Sequence, residues 1–159
     1  MNAVSSVVAG QCVLAFVVFV ALSWGAGAVG AQFAPDGWYA KLHKPLITPP
    51  DDLFRIIWPL LYTLNAIGGW LAWDRNRRVE RAHALWLAQL LLTVAWPWLF
   101  FGLHQIELAL AALVALLLVM LVLLAAFWRL RPLASVAMLP YFGWLLFAAL
   151  LNVAFVGLN

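Results

Sequence analysis

Charge is what this sequence has least of. Asp, Glu, Lys and Arg make up 9% of its 159 residues, against roughly 25% in soluble globular domains, so a water-soluble fold is excluded. Cysteine is nearly absent as well. Cys12 stands alone in an apolar run, which rules out a disulfide framework and leaves the redox compartment unread. No stretch alternates apolar and polar residues with a period of two. A membrane barrel is therefore excluded, and the apolar runs must be helices, whose backbone groups satisfy one another in lipid. Gly-rich phosphate loops, Ser/His/Asp patterns and paired metal-ligand spacings are missing; His43, His83 and His104 fall in or beside different connections and read as interfacial, with no metal site. The net charge of +3 comes from nine basic residues set beside the apolar runs, a topology signal and not a nucleic-acid footprint.

What is present is hydrophobic: 67% of the chain, with a mean hydropathy of +1.02. Five runs, at about 4–29, 53–73, 82–103, 108–128 and 133–158, each approach the ~20 residues that cross the hydrocarbon layer. The predicted fold is a single all-α domain, a five-helix membrane bundle with one long structured loop between the first two helices. The first run lacks a basic leader and is too long for a signal peptide, so it reads as a retained span. Arg75, Arg77, Arg78, Arg81, Arg129 and Arg131 occupy one side of the membrane, and only Lys41, Lys44 and Arg55 the other. That asymmetry predicts a cytoplasmic N-terminus and, in a bacterium, a periplasmic first loop. Short later connections predict antiparallel neighbours for consecutive helices. Pro59, Pro97 and Pro140 interrupt three spans, and kinked helices either open a cavity or simply pack as kinked helices. Small residues spaced by four, Ala21 with Gly25, Gly27 with Ala31 and Ala84 with Ala88, allow close helix contact. The first two pairs read as intramolecular, and the third is a candidate dimer face.

Polarity is confined to a few places. Between Gln32 and Tyr62 the chain turns polar, proline-rich and aromatic, with Trp38-Tyr39, Lys44-Pro45 and Pro49-Pro50-Asp51-Asp52 leading to Trp58 and Tyr62. A rigid aromatic loop beside such greasy spans is where a ligand would be gripped. Asp51 and Asp52 read as caps of the second span, and Glu107 as a carboxylate at the N-terminus of the fourth. Asn65, Gln89, Thr93 and Asn152 lie inside spans and predict hydrogen bonds between helices. Of ten tryptophans, Trp24, Trp70, Trp73, Trp86 and Trp128 read as interfacial belts. Trp58, Trp96, Trp98 and Trp144 lie by the proline-containing turns, where they would either line a pocket for a large planar ligand or pack on one another.

These motifs, taken together, resemble one family. The pattern Trp38-Tyr39-x-x-Leu42-x-Lys44-Pro45-x-x-x-Pro49-Pro50, followed by Trp58-x-x-x-Tyr62, is similar to the first loop and second helix of the TspO/translocator protein family, the tryptophan-rich sensory proteins and peripheral-type benzodiazepine receptors. Gln89-Leu90, Trp96-Pro97 and Phe100-Phe101-Gly102 continue the likeness in the third helix. Leu139-Pro140-Tyr141, Trp144, Phe147-Ala148 and Leu151-Asn152 continue it in the fifth. The resemblance implies a bacterial member in the cell membrane, often dimeric, with a pocket under the first loop. Its ligand would be a porphyrin such as protoporphyrin IX, or haem, or a benzodiazepine-type molecule, and no cofactor or metal is required. Tyr39, Trp58, Tyr62, Thr93, Trp96, Trp144 and Ala148 would line that pocket. Ala84 and Ala88 would lie on a dimer face. Trp58 and Trp144 match two tryptophans that relatives use in light-dependent porphyrin breakdown, which makes them the catalytic candidates if there is turnover.

Departures from the pattern carry expectations too. Ile47 stands where many relatives have Trp, and Thr93 where they have Asn. Val153 and Gly157 replace the Tyr and basic residue of the animal cholesterol motif, which argues against sterol binding. The leading expectation is a membrane tetrapyrrole-binding protein acting as sensor, scavenger or transporter. Light- and oxygen-dependent protoporphyrin degradation is the alternative, and a ligand-free regulatory partner of other membrane proteins is the third. Lys41, Lys44 and Arg55 are the nearest cations for porphyrin propionates.

Overall fold

The computed structural model describes residues 3–33 and 35–159. Its elements are all helical: α1 (Ala3–Gly30), α2 (Gly37–Lys41), α3 (Asp51–Asn76), α4 (Arg81–Pro97), α5 (Ile106–Leu130) and α6 (Pro132–Leu158). A five-residue π-helical turn, Trp98–Gly102, extends α4. Among the described residues five helices are long and apolar enough to cross a membrane, and the chain is an integral membrane protein of five spans. Each observed span lies within a few residues of its predicted limits.

The five spans close into a ring in the order α1, α3, α6, α5, α4 and back to α1. Consecutive helices are ring neighbours with one exception. α3 and α4 follow each other through a short turn, yet they meet by side chains across the ring and not by close backbone packing. Asn65 and Gln89, both fully buried, exchange two amide hydrogen bonds at 3.3 and 3.2 Å, and Trp86 Nε1 donates to the Asn65 carbonyl at 3.2 Å. An indole and two carboxamides are too bulky for the helices they join to approach closely. Trp86, expected in an interfacial belt, is thus a core residue at 1% exposed.

Packing elsewhere follows coiled-coil spacing. On α5 the buried positions are Ala109, Leu113, Leu116, Met120, Leu123 and Phe127, alternating four and three residues apart. That spacing is the seam of left-handed helix packing. Where backbones come closest, glycine is needed: a Cβ at Gly68 would lie 2.9 Å from the Ala134 carbonyl of α6. The small-residue pairs of α1 divide. Gly27 abuts the Tyr62 ring, as an intramolecular contact should, but Gly25 faces open space and Ala21 is exposed.

Helix ends show where local sequence acts. Pro50, not an aspartate, occupies the N-cap of α3, with no side-chain cap bond. The helix starts two residues earlier than expected, which puts Asp52 inside the first turn; the side chain of Asp51 lies outside the described residues. Glu107 does sit in the first turn of α5. His83 is buried at 3% exposed, where its ring Nδ1 accepts the Glu80 N–H at 2.9 Å at the start of α4. It is therefore a buried capping residue and not an interfacial one. On the arginine-rich end, Asp74 of α3 pairs with Arg131 at 3.0 Å and Arg77 at 3.6 Å, tying α3 to the α5–α6 turn.

Candidate functional site

The opposite end of the bundle carries a lid. Asp36 starts the short helix α2 by accepting the N–H groups of Trp38 at 2.9 Å and Tyr39 at 3.2 Å. Those bonds, the Tyr39 N–H foremost, and the nearby His104 hold the exposed Asp36 carboxyl below its ordinary range. The second Asp36 oxygen lies 3.2 Å from His104 Nε2, and the Trp38 indole stacks on the His104 ring at 4.3 Å and 17°. His104 itself has a left-handed backbone (φ 57°) in the turn between the π-helical segment and α5. One end of the lid is thereby fastened to that turn. The other end is fastened to the end of the last helix, where Asn159 Oδ1 accepts the His43 N–H at 2.9 Å and Asn159 Nδ2 donates to the His43 carbonyl at 3.2 Å.

Between these two fastenings the buried Tyr39 points down among Phe101, Phe155 and Phe100, at ring separations of 5.4, 5.9 and 6.3 Å. Lys44 Nζ lies 4.5 Å above the Tyr39 ring centre. Below the lid is a cavity of about 760 Å³. Gly27 of α1 and Ala31 just beyond its end form one wall and Trp58 and Tyr62 of α3 the next. Thr93 and Trp96 of α4 face Trp144 and Ala148 of α6. All seven residues that the motifs pointed to, Tyr39 included, line this one space.

Local sequence explains the cavity's shape. Pro97 has no N–H to give to the Thr93 carbonyl, so one rung is missing there, although Trp98 still bonds back to Val94. Leu103 then bonds back five residues to Trp98 at 2.9 Å, giving the π turn that swings Phe100 and Phe101 toward the cavity. Trp98, two residues past Trp96 and so on the opposite face of the helix, turns outward: it is 45% exposed and lines a shallow groove between α1 and α4, not the cavity. Trp98 must therefore be struck from the pocket candidates. Ala84 is exposed on α4 and Ala88 is half-buried, and both lie away from the cavity.

The walls are aromatic and their polar atoms mostly committed. Trp58 stacks on Tyr62 at 5.4 Å and 23°, and meets Trp144 edge-on at 6.4 Å and 85°. Thr93 Oγ1 bonds the Tyr141 hydroxyl and donates to the Gln89 carbonyl at 2.7 Å. Asn152 accepts from Trp96 Nε1 at 3.1 Å and donates to the Ile106 carbonyl at 3.0 Å. Among the described residues Trp144 Nε1 is buried with no partner. Such a space suits a large flat apolar molecule, which would stack on or abut indoles. Nothing among the described residues gathers three metal-ligating side chains.

Sequence reasoning missed several lining residues: Phe33 and Pro35 in the loop after the first span, Phe54 on α3, and Phe155 near the end of α6. Phe100, Phe101 and Phe147 were visible as motif residues without an assigned place. Gly27 read as a helix-contact residue, whereas its missing side chain makes room for Tyr62 at the cavity wall.

A sequence model described as the TspO/MBR family matches residues 13–157. The chain belongs to the TspO/MBR family. Protein CrtK of Rhodobacter capsulatus is 34% identical over 148 residues, 91% of this chain and 92% of that protein. The tryptophan-rich protein TspO of Archaeoglobus fulgidus is 38% identical over 123 residues, covering 77% and 80% of the two chains. Human translocator protein is 34% identical over 119 residues, 72% of this chain and 70% of that one. The matched region contains the lid, every cavity wall and both candidate tryptophans, so the family assignment covers the site as well as the fold.

Proposed function

We propose that this TspO/MBR protein binds a tetrapyrrole, protoporphyrin IX or haem, in the lidded aromatic cavity, and acts as a sensor, scavenger or carrier of porphyrins. The observation that supports the reading most strongly is one space of about 760 Å³ walled by Trp58, Trp96 and Trp144 and closed by Tyr39. Burial of ring area at ~25 cal/mol per Å² supplies the affinity, less the cost of ordering ligand and lid. A benzodiazepine-type molecule would use the same apolar walls. Titration with protoporphyrin IX in detergent, in the dark, should give saturable quenching of tryptophan fluorescence. Quenching no stronger than in a Trp58→Ala, Trp144→Ala double variant would remove the assignment.

Edge contact of Trp58 with Trp144 favours a second reading, oxygen- and light-dependent breakdown of the bound porphyrin. An indole beside an excited porphyrin is an electron donor, and dioxygen would be the oxidant. Bleaching under illumination faster than that of free porphyrin, and lost in Trp144→Phe, would support it; equal rates would sink it. We further propose a cytoplasmic N-terminus, a periplasmic lid and a homodimer packed through Ala84 and Ala88. The arginine asymmetry supports the first two, and the outward position of Ala84 the last.

A further inference from the structure

We propose that Arg55 makes the cavity selective for an acidic ligand, a flat apolar body bearing a carboxylate at one edge, with that carboxylate held at the mouth by the guanidinium. The inference rests on the tetrapyrrole reading and adds the charge that the ligand must carry.

Arg55 is the one charged side chain among the described residues that line the cavity. The two other cations on the lid side are placed differently. Lys44 lies over the Tyr39 ring, and Lys41, at the end of α2, is not part of the wall. Arg55 has no ion pair and no side-chain hydrogen bond with any other described residue, in contrast to Arg77 and Arg131, which both hold Asp74. Its five N–H donors are therefore available, and their planar fork matches a carboxylate with two parallel bonds.

Spacing supplies the geometry. Arg55, Trp58 and Tyr62 are three and four residues apart on α3, so they share one face. A rise of about 1.5 Å per residue sets the Arg55 backbone roughly 4.5 Å nearer the lid than that of Trp58. A planar ring lying against Trp58 and Tyr62 would then present its lidward edge to Arg55.

The remaining polar groups of the cavity point to the same ligand. Thr93 is bonded to Tyr141 and Gln89, Asn152 to Trp96 and Ile106, and the unpartnered Trp144 Nε1 is a neutral donor, so the rest of the lining has no counter-charge to offer. A carboxylate placed there would lose its hydration with no cation to meet it, and only the neutral Trp144 N–H as a free donor. One cation at the mouth and only uncharged groups in the rest of the lining thus define an orientation, with the acidic edge up and the apolar body down.

The test compares protoporphyrin IX with its dimethyl ester, whose apolar body is retained while both carboxylates are masked. Dark affinities are measured for the wild type, Arg55→Gln and Arg55→Lys. The acid should bind Arg55→Gln roughly fivefold more weakly than the wild type, the size expected of one partly solvated charge-assisted contact. Arg55→Lys should recover part of that loss, the ester should be indifferent to all three side chains, and added salt should weaken only the acid. An equal loss for acid and ester would mean that Arg55 merely shapes the mouth. No loss for either would mean that its guanidinium serves lipid phosphates or water. Both results overturn the proposal. A wild type that binds neither porphyrin would bring down the tetrapyrrole reading itself, and this inference with it.

Discussion

Replacing Asn152 by leucine should destabilise the protein and loosen the cavity wall, and the size of the effect can be worked from its contacts. Asn152 is 1% exposed and connects three elements, accepting from Trp96 Nε1 on α4 and donating to the Ile106 carbonyl at the start of α5. Leucine keeps the branched heavy-atom skeleton with bulkier methyls, so no cavity is created and the loss of polar contacts sets the minimum cost. Two interhelical hydrogen bonds are lost, each worth ~0.6 kcal/mol in a membrane protein. The Ile106 carbonyl keeps its place in the helical ladder, but the Trp96 indole N–H is orphaned, which costs ~1–2 kcal/mol more. The sum is about 2–3 kcal/mol, or roughly 4–12 °C in the thermal midpoint of a chain this long. Thermal unfolding in detergent followed by near-ultraviolet circular dichroism would measure it. The decisive comparison is a double-mutant cycle with Trp96→Phe, which removes the donor. Once that donor is gone, Asn152→Leu should cost at least ~1 kcal/mol less than in the wild type. Additivity within ~0.5 kcal/mol would show that Trp96 and Asn152 do not act as a pair, and the argument would be wrong.

Further expectations concern the core and the lid. Asn65→Leu should cost about 2 kcal/mol by stranding both amide groups of Gln89, whereas Asn65→Leu with Gln89→Leu should cost under ~1 kcal/mol; a double variant as unstable as the sum of the singles would refute the reciprocal pair. Gly69→Ala should destabilise by about 1–2 kcal/mol despite the better helix former, because the new methyl would lie 2.8 Å from Phe19 and 2.9 Å from Trp86; a raised thermal midpoint would mean that helix propensity outweighs this overpacking. The lid should respond to acid in a defined direction. Asp36 is held below its ordinary value of 3.8, so its contribution is complete above that value and is lost only as pH falls through the lower folded value. Hydrogen exchange at the Trp38 and Tyr39 amides, corrected for intrinsic rate, should show lid protection unchanged down to about pH 4 and falling below it. Protection already lost between about pH 7 and pH 5 would contradict the assignment of those amides to Asp36.

Much of this architecture was legible because a bilayer leaves few alternatives. Runs of ~20 apolar residues must be helices, and their number fixed the bundle at five spans. What stayed hidden was which face of each helix turns inward. On α5 the buried Leu113, Leu116 and Leu123 alternate with exposed Leu118, Leu121 and Val122, and the two sets are chemically alike. In water the outer set would be polar and the seam would be evident. In lipid the outside is as apolar as the inside, so the period is written only in the packing. The same ambiguity explains Trp86, whose place near a span end suited a belt until the Asn65 carbonyl supplied its partner. Trp98 differs: at about 100° per residue it lies on the opposite face of α4 from Trp96, and the π turn begins only at Trp98 itself.

The cavity residues were legible for the opposite reason. Each departs from what an apolar span requires: Thr93 and Asn152 are polar, Trp58 and Trp144 lie away from the interfaces, and Tyr39 sits in a proline-bounded loop. Spacing alone could not show that they converge, because they come from the lid and three different helices. Convergence depends on the ring order. α3 and α6 are direct neighbours although two helices separate them in sequence, and that adjacency brings Trp58 to within 6.4 Å of Trp144. Had the spans packed in sequence order, these indoles would sit on helices that do not touch. The order is enforced by particular contacts: Gly68 against the Ala134 backbone joins α3 to α6, and Asp74 with Arg131 closes the same seam at the far end. It follows that a side chain at Gly68, far from any ligand, should disturb the Trp58–Trp144 pair. The ring's topology, and not the lid, is what brings the two tryptophans together.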